Sequence, residues 1–198
     1  MSAFLDVPLI FGAYLIGSIA TAILVGHALG LGDPRQSGSG NPGATNILRI
    51  GGKKAAALTL FGDLIKGVIP ILIARWLGVS DWILAAVALA TFLGHLYPLF
   101  FGFRGGKGVA TALGILLALV PFIGLSVLGA WVLVFVITRV SSLAALLAAV
   151  SAIPIAFTLS GASSIRTLVI VLVLLILWRH RSNIRRLLEG RETPFKKR

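Results

Sequence analysis

Seven apolar runs, at about 4–29, 54–77, 82–101, 107–120, 122–138, 142–159 and 164–178, make up most of this chain, and short polar links separate them. Runs of this kind are read as membrane helices, because hydrocarbon offers an unpaired peptide group no partner and a helix satisfies its own backbone. The fourth and fifth runs are short and separated by little more than Val120-Pro121. They form a tight hairpin, or one kinked element that does not cross fully. Hydrophobic residues reach 58% and charged residues only 12%, against about 45–50% and about 25% in soluble domains. The expected fold is an all-α integral membrane protein, a seven-helix transmembrane bundle forming a single domain over 1–198. The first run lacks a preceding basic flank and a following cleavage site, so it is expected to remain as a helix rather than be removed as a signal peptide. There is no cysteine, which removes disulfides and thiolate metal sites.

The net charge of +12 raises the question of nucleic acid. Its placement argues against that partner, since Arg and Lys flank apolar runs without interleaved aromatic residues to stack on bases. With seven crossings, nearly all basic residues fall on one side: 35–54, Arg104 with Lys107, Arg139, and the tail from Arg179. By the positive-inside rule that side is cytoplasmic, with the N-terminus outside and the C-terminus inside. Six crossings would scramble the separation.

Two glycine-studded polar segments then lie on the same face. Ser37-Gly38-Ser39-Gly40-Asn41-Pro42-Gly43-Ala44-Thr45-Asn46 follows the break at Asp33-Pro34, and a helical turn resumes toward Arg49. Glycines let successive N–H groups converge on an anion, with the Ser39 hydroxyl, the Asn41 and Asn46 amides and Arg49 available to a phosphate. A solvated turn is the plainer reading, but it does not explain the density of Ser, Thr, Asn and Arg together. The second segment, Gly102-Phe103-Arg104-Gly105-Gly106-Lys107-Gly108, is not a Walker loop: Phe101 and Gly108 stand where Gly and Ser or Thr are required. It leaves a lysine among glycines at a helix start, read either as an anion site or as an anchor that orients the helix.

Three further features share this face or lie close to it. His95 sits near the end of the third run, as a packing residue or, beside Lys107, as a catalyst. His180 and Asn183, three apart, share a helical face as site candidates, while the surrounding Arg179, Arg181, Arg185 and Arg186 are mostly headgroup anchors. Asp63 and Lys66 lie one turn apart inside the second run, where charge is costly enough to imply function, and they either pair with each other or face a substrate. Ser18, Ala22, Gly26 and Gly30 form a stripe of small residues suited to close helix packing.

SGSGNPGATNILR from Ser37 to Arg49, GHLYPLF around His95, GFRGGKGVAT from Gly102 to Thr111, Ser141-Ser142, and RHRSNIRRL from Arg179 together resemble the bacterial membrane-bound acyl-phosphate:glycerol-3-phosphate acyltransferases. The resemblance covers nearly the whole chain. It implies an enzyme of the bacterial cytoplasmic (inner) membrane, with its active site at the cytoplasmic face, that acylates glycerol 3-phosphate from acyl phosphate to give lysophosphatidic acid in phospholipid synthesis. The implied partners are those two substrates, membrane lipids and a soluble supplier of acyl phosphate, with no cofactor and no metal. It places phosphate binding at Ser39, Gly40, Thr45 and Lys107, glycerol phosphate recognition at Asn41, Asn46, Arg49, Ser142, His180 and Asn183, and His95 close to the reacting centre, with Ser37 among the substrate-binding residues. The family's second-run motif has Phe directly before its Asp, whereas here Gly62 intervenes after Phe61, which leaves the roles of Asp63 and Lys66 open.

The chemistry implied fits these residues. Acyl phosphate is an activated mixed anhydride, so positioning and charge stabilisation suffice without an enzyme nucleophile. The proton of the attacking hydroxyl goes to His95 or, the preferred reading, to a substrate phosphate. A transporter of phosphorylated anions would want similar basic loops, but the chain carries no convincing internal repeat.

Overall fold

The computed structural model describes residues 5–195, and they are helical with short links. In chain order the helices are α1 (Asp6–Gly17), α2 (Thr21–Ala28), α3 (Ala44–Trp76), α4 (Asp81–Leu96), α5 (Val109–Leu119), α6 (Pro121–Thr138), α7 (Ser141–Leu159), α8 (Ser163–Arg179) and α9 (Arg181–Leu188). A single 3-10 turn, Leu99–Phe101, follows α4.

Four segments are long and apolar enough to cross a membrane: α3, α4 with its 3-10 turn, α6 and α7. The pairs α1 with α2 and α8 with α9, bent by 40° and 61°, raise the number to six if each pair is one broken span. The predicted fourth run is α5, whose 11 residues extend only about 16 Å, short of the hydrocarbon thickness of about 30 Å. It therefore does not cross by its own length. Residues on both its flanks, including Thr111, Ala112, Gly114, Ile115, Leu116, Ala118 and Leu119, are buried, so protein rather than lipid surrounds it. Pro121 opens α6 immediately after Val120, and α6 folds back on α5 as a hairpin; Gly124 lets Leu117 come close.

Glycines set the helix crossings. Gly17 on α1 and Gly94 on α4 leave no room for a methyl against the facing backbone, and Gly67 on α3 and Gly114 on α5 do the same for the second crossing. The small-residue stripe works only in part. The chain breaks between Gly17 and Thr21, Ala22 and Gly26 are buried in α2, and Gly30 is exposed outside it at φ 68°. At the break the carbonyl of Ile19 lies outside the α1 ladder, where it accepts from the Thr21 N–H at 3.1 Å and from the Lys66 ammonium at 2.7 Å, which ties α3 to the break. Gly62 also finds its reason, since a methyl there would strike the Thr21 side chain.

The predicted second run began at about 54, but α3 starts ten residues earlier, at Ala44, and turns at Gly52, where φ is 76°. Its first two turns therefore carry the end of the glycine loop, and the remainder forms the apolar segment. Phe92, Leu96, Ile115, Leu119 and Ile71 form the core that holds α3, α4 and α5 under that loop.

Candidate active site

Asn46 organises the first loop. It is fully buried in the first turn of α3, and its Nδ2 donates to the carbonyls of Pro34 and Ser37, each at 2.9 Å, while Oδ1 accepts from the Ser39 N–H at 2.8 Å. Gly38 has φ 62° and no space for a Cβ against that amide, which is why glycine stands there. The N–H of Gly40 donates to Ser37 and that of Gly43 to Asn41, so much of the loop's backbone is spent on its own fold. The loop lines a cavity from Ser39 to Asn46 and at Arg49, with Ser39, Asn41, Thr45 and Arg49 among its polar residues there. Ser37 is exposed outside the cavity.

The second loop uses its glycines for close packing. The N–H of Gly105 donates to Leu96 and that of Gly106 to His95, each at 3.2 Å, and their carbonyls accept from the Arg179 guanidinium at 2.7 and 3.0 Å. The expected convergence of backbone N–H groups on an anion is thus absent at Gly105 and Gly106, because α4 takes both donors. A methyl on Gly106 would press on the His95 ring and come within 3.1 Å of the Pro42 carbonyl. Arg35 joins the two loops: its Nη1 donates to the Phe101 carbonyl at 2.7 Å while Asp33 grips the rest of its guanidinium. Lys107 is left facing the cavity.

The corner between α8 and α9 supplies the opposite wall. His180 occupies the bend itself, capping both helices, and Asn183 lies in the first turn of α9; both are buried and line the cavity. The His180 Nδ1 lies 2.8 Å from the Ile176 carbonyl, an acceptor, so that nitrogen carries the proton and Nε2 is the acceptor. Burial, followed by the charge of Lys107, lowers His180 to about 4, which keeps the imidazole neutral at neutral pH. Lys107 donates to the Asn183 Oδ1. Burial brings the lysine down to about 8; Arg186, Arg179 and Arg49 act in the same direction and Glu192 opposes them.

One acid of this wall carries no signal among the motifs above, and two arginines expected at the headgroups belong to it. Glu192 accepts from Ser142 Oγ, Asn183 Nδ2 and Arg186 Nε, each at 2.6 Å. Burial favours its neutral form, but those hydrogen bonds outweigh burial and hold the carboxyl below its ordinary value. Arg186 and Arg179 are accordingly structural parts of the pocket, not headgroup anchors, while Arg181 and Arg185 remain exposed. The available signal was an acid inside a basic tail, in a chain with only six acidic residues.

Beneath the loops lie Asp63, Lys66 and His95, all buried. Lys66 Nζ is 2.8 Å from Asp63 Oδ1, and His95 Nδ1 is 3.5 Å from the same oxygen, a contact too long for a good hydrogen bond. Asp63 and His95 reach the cavity; Lys66 does not. Thr111 Oγ1 donates to the Asp63 carbonyl at 2.9 Å, tying α5 to this cluster.

The cavity measures about 910 Å³ and joins two environments. At one end stand Ser39, Thr45, Arg49, Lys107, Ser142 and Asn183; at the other, Ala145, Ala149 and Ala152 of α7 face Leu116, Val127 and Val173. From Ser142 to Ala152 the helix runs about 15 Å. Such a site can hold an anionic head in the basic end and an apolar chain along the rest.

The family model described as glycerol-3-phosphate acyltransferase matches residues 7–190. A glycerol-3-phosphate acyltransferase of Thioalkalivibrio sulfidiphilus is 55% identical over 184 residues, covering 93% of this chain and 91% of the relative. One from Pseudomonas aeruginosa is 53% identical, covering 92% and 96%. Crystal structures of PlsY (YgiH), an integral membrane glycerol 3-phosphate acyltransferase, superpose with TM-scores of 0.92 for the glycerol 3-phosphate form and 0.89 for the lysophosphatidic acid form. Their identities are 44% and 43%, over 96% of this chain and 96% and 95% of theirs. With its described residues in helices and short links, and with matches over more than nine-tenths of its length, the chain belongs to the glycerol-3-phosphate acyltransferase family.

Proposed function

We propose that this membrane acyltransferase moves a fatty acyl group from acyl phosphate to the 1-hydroxyl of glycerol 3-phosphate, releasing lysophosphatidic acid and phosphate. The observation that carries the reading is the single cavity in which a basic, hydroxyl-lined end continues into an apolar groove. Each substrate has an anionic head, and only one has a long chain.

The hydroxyl oxygen attacks the acyl carbon, the anhydride C–O bond breaks, and the electron pair leaves on phosphate. Lys107, with Ser39 and Thr45, stabilises that phosphate, while Gly40 lets the first loop turn beside it at φ 70°. Asn41, Arg49, Ser142, His180 and Asn183 hold glycerol 3-phosphate, and the His180 Nε2 accepts a hydrogen bond from a glycerol hydroxyl. Asn46 acts by shaping the loop. The hydroxyl proton passes to the departing phosphate. His95, packed against Gly106, keeps the lysine loop in register rather than taking the proton.

We read the seven apolar segments as crossing with the N-terminus outside and the active site at the cytoplasmic face of the bacterial inner membrane. The basic residues support this orientation, and α5, enclosed by protein rather than lipid, leads from the lysine loop to the Val120-Pro121 corner without needing a full lipid-facing span. Glycerol 3-phosphate and a soluble source of acyl phosphate would both approach from that side. The donor is tested by offering the purified protein palmitoyl phosphate, palmitoyl-coenzyme A and palmitoyl-acyl carrier protein in turn. Lysophosphatidic acid from the phosphate alone supports the reading; equal turnover with a thioester contradicts it.

A further inference from the structure

Glu192 stands in the pocket where two anionic substrates are to be bound, and a carboxylate there must serve something other than attraction. Its side chain is only 11% exposed. It takes hydrogen bonds from three residues on two helices: Ser142 on α7, and Asn183 and Arg186 on α9. An ionised carboxylate accepts at about four positions, and three of them are filled by these donors.

The consequence lies one step further on. Asn183 offers its Nδ2 to Glu192 and its Oδ1 to Lys107. The opposite amide orientation would set oxygen against carboxylate and N–H against ammonium, so the acid fixes the amide. We infer that Glu192 is a positioning residue of the transfer site: its carboxylate holds the Asn183 amide so that Oδ1 faces Lys107 and aims that ammonium into the phosphate pocket. The tail is pinned for the purpose. The Phe195 N–H donates to the Arg139 carbonyl at 2.9 Å, and the Arg49 guanidinium lies 5.6 Å from the Phe195 ring centroid.

Glu192 also supplies negative charge to a crowded cation. The charged groups that act most on Lys107 are Arg186, Glu192, Arg179 and Arg49, with neutral His180 beside it, and of these Glu192 is the one that favours its charged form. Removing that charge destabilises the ammonium, so the pH at which Lys107 loses its proton falls.

The inference rests on the role proposed above for Lys107. The test uses full-length protein purified in detergent, with kcat and KM for palmitoyl phosphate and glycerol 3-phosphate measured from neutral to alkaline pH. Glu192→Gln is expected to lower kcat at least tenfold and to move the alkaline limb to lower pH. Glu192→Asp is expected to restore the limb and part of kcat. If the Gln variant fails to fold, the Asp variant carries the test: a fall in kcat with the limb at its wild-type position supports the inference, and an unchanged kcat overturns it. A folded Gln variant with wild-type kcat, or with an unmoved limb, also overturns it. Lys107→Met separates the two layers. Collapse of that variant beside an unaltered Glu192→Gln removes this inference alone, whereas wild-type kcat in Lys107→Met removes the lysine reading and this inference with it.

Discussion

The Lys66 ammonium lies 2.8 Å from the Asp63 carboxylate and also donates to Ile19, so one buried ion pair closes the break between α1 and α2. Both residues are under 5% exposed. Asp63→Asn leaves a buried ammonium without its counter-charge and is expected to cost about 3–5 kcal/mol. The double change to Asp63→Leu and Lys66→Met removes both charges and is expected to cost less, because the Ile19 carbonyl keeps the Thr21 N–H at 3.1 Å as a partner. Unfolding in mixed micelles measures the order; an Asp63→Asn protein as stable as wild type would contradict it.

The role proposed for Lys107 predicts an alkaline limit. Its value of about 8 means that the ammonium is present below that pH and lost above it, so kcat is expected to fall as pH rises through that value. Lys107→Arg keeps its charge throughout. It is expected to lower kcat at neutral pH through altered geometry while abolishing the alkaline fall. A wild-type profile with no alkaline limb would be inconsistent with the lysine's role.

Gly106 has no space for a methyl between the His95 ring and the Pro42 carbonyl. Gly106→Ala should displace the lysine loop and reduce kcat/KM at least tenfold, about 1.4 kcal/mol. Gly129→Ala is the comparison, because Gly129 lies mid-helix with open space around it and should gain about 1 kcal/mol of helix stability with activity unchanged. Steady-state kinetics on the two variants decide the matter.

How far the sequence spoke depends on the range of the interaction. Apolar runs and glycine clusters are local signals, and α3, α4, α6, α7 and α8 appear near the expected positions because hydropathy alone demands helices there. The break at 18–20 carries no proline and reads as continuous apolar chain; beside it Gly17 and Gly94 bring α1 against α4, and Lys66 of α3 donates to the Ile19 carbonyl. Asn46 looked like a substrate ligand by composition, yet folding turned its amide inward to the loop. Glu192 was invisible for a similar reason: its partners Ser142, Asn183 and Arg186 are 50, nine and six residues away, and only the α8–α9 bend brings them together. Of the candidate site residues named from the sequence, Ser37 and Lys66 stand outside the cavity lining.

Orientation has its own test, made simple by the absence of native cysteine. Gly161→Cys lies in open space between α7 and α8, and Arg104→Cys is exposed in the second loop. A membrane-impermeant maleimide added to spheroplasts should label the first directly and the second only after lysis. The reverse pattern would invert the proposed topology.

The central claim is that one cavity brings acyl phosphate and glycerol 3-phosphate together for direct transfer. Purified protein given labelled palmitoyl phosphate and glycerol 3-phosphate measures it, with lysophosphatidic acid and inorganic phosphate followed together. The account predicts equal amounts of the two products, appearing at the same rate and only when both substrates are present. Folded protein that forms no lysophosphatidic acid, or that carries glycerol 3-phosphate across sealed vesicles without forming any, would contradict it.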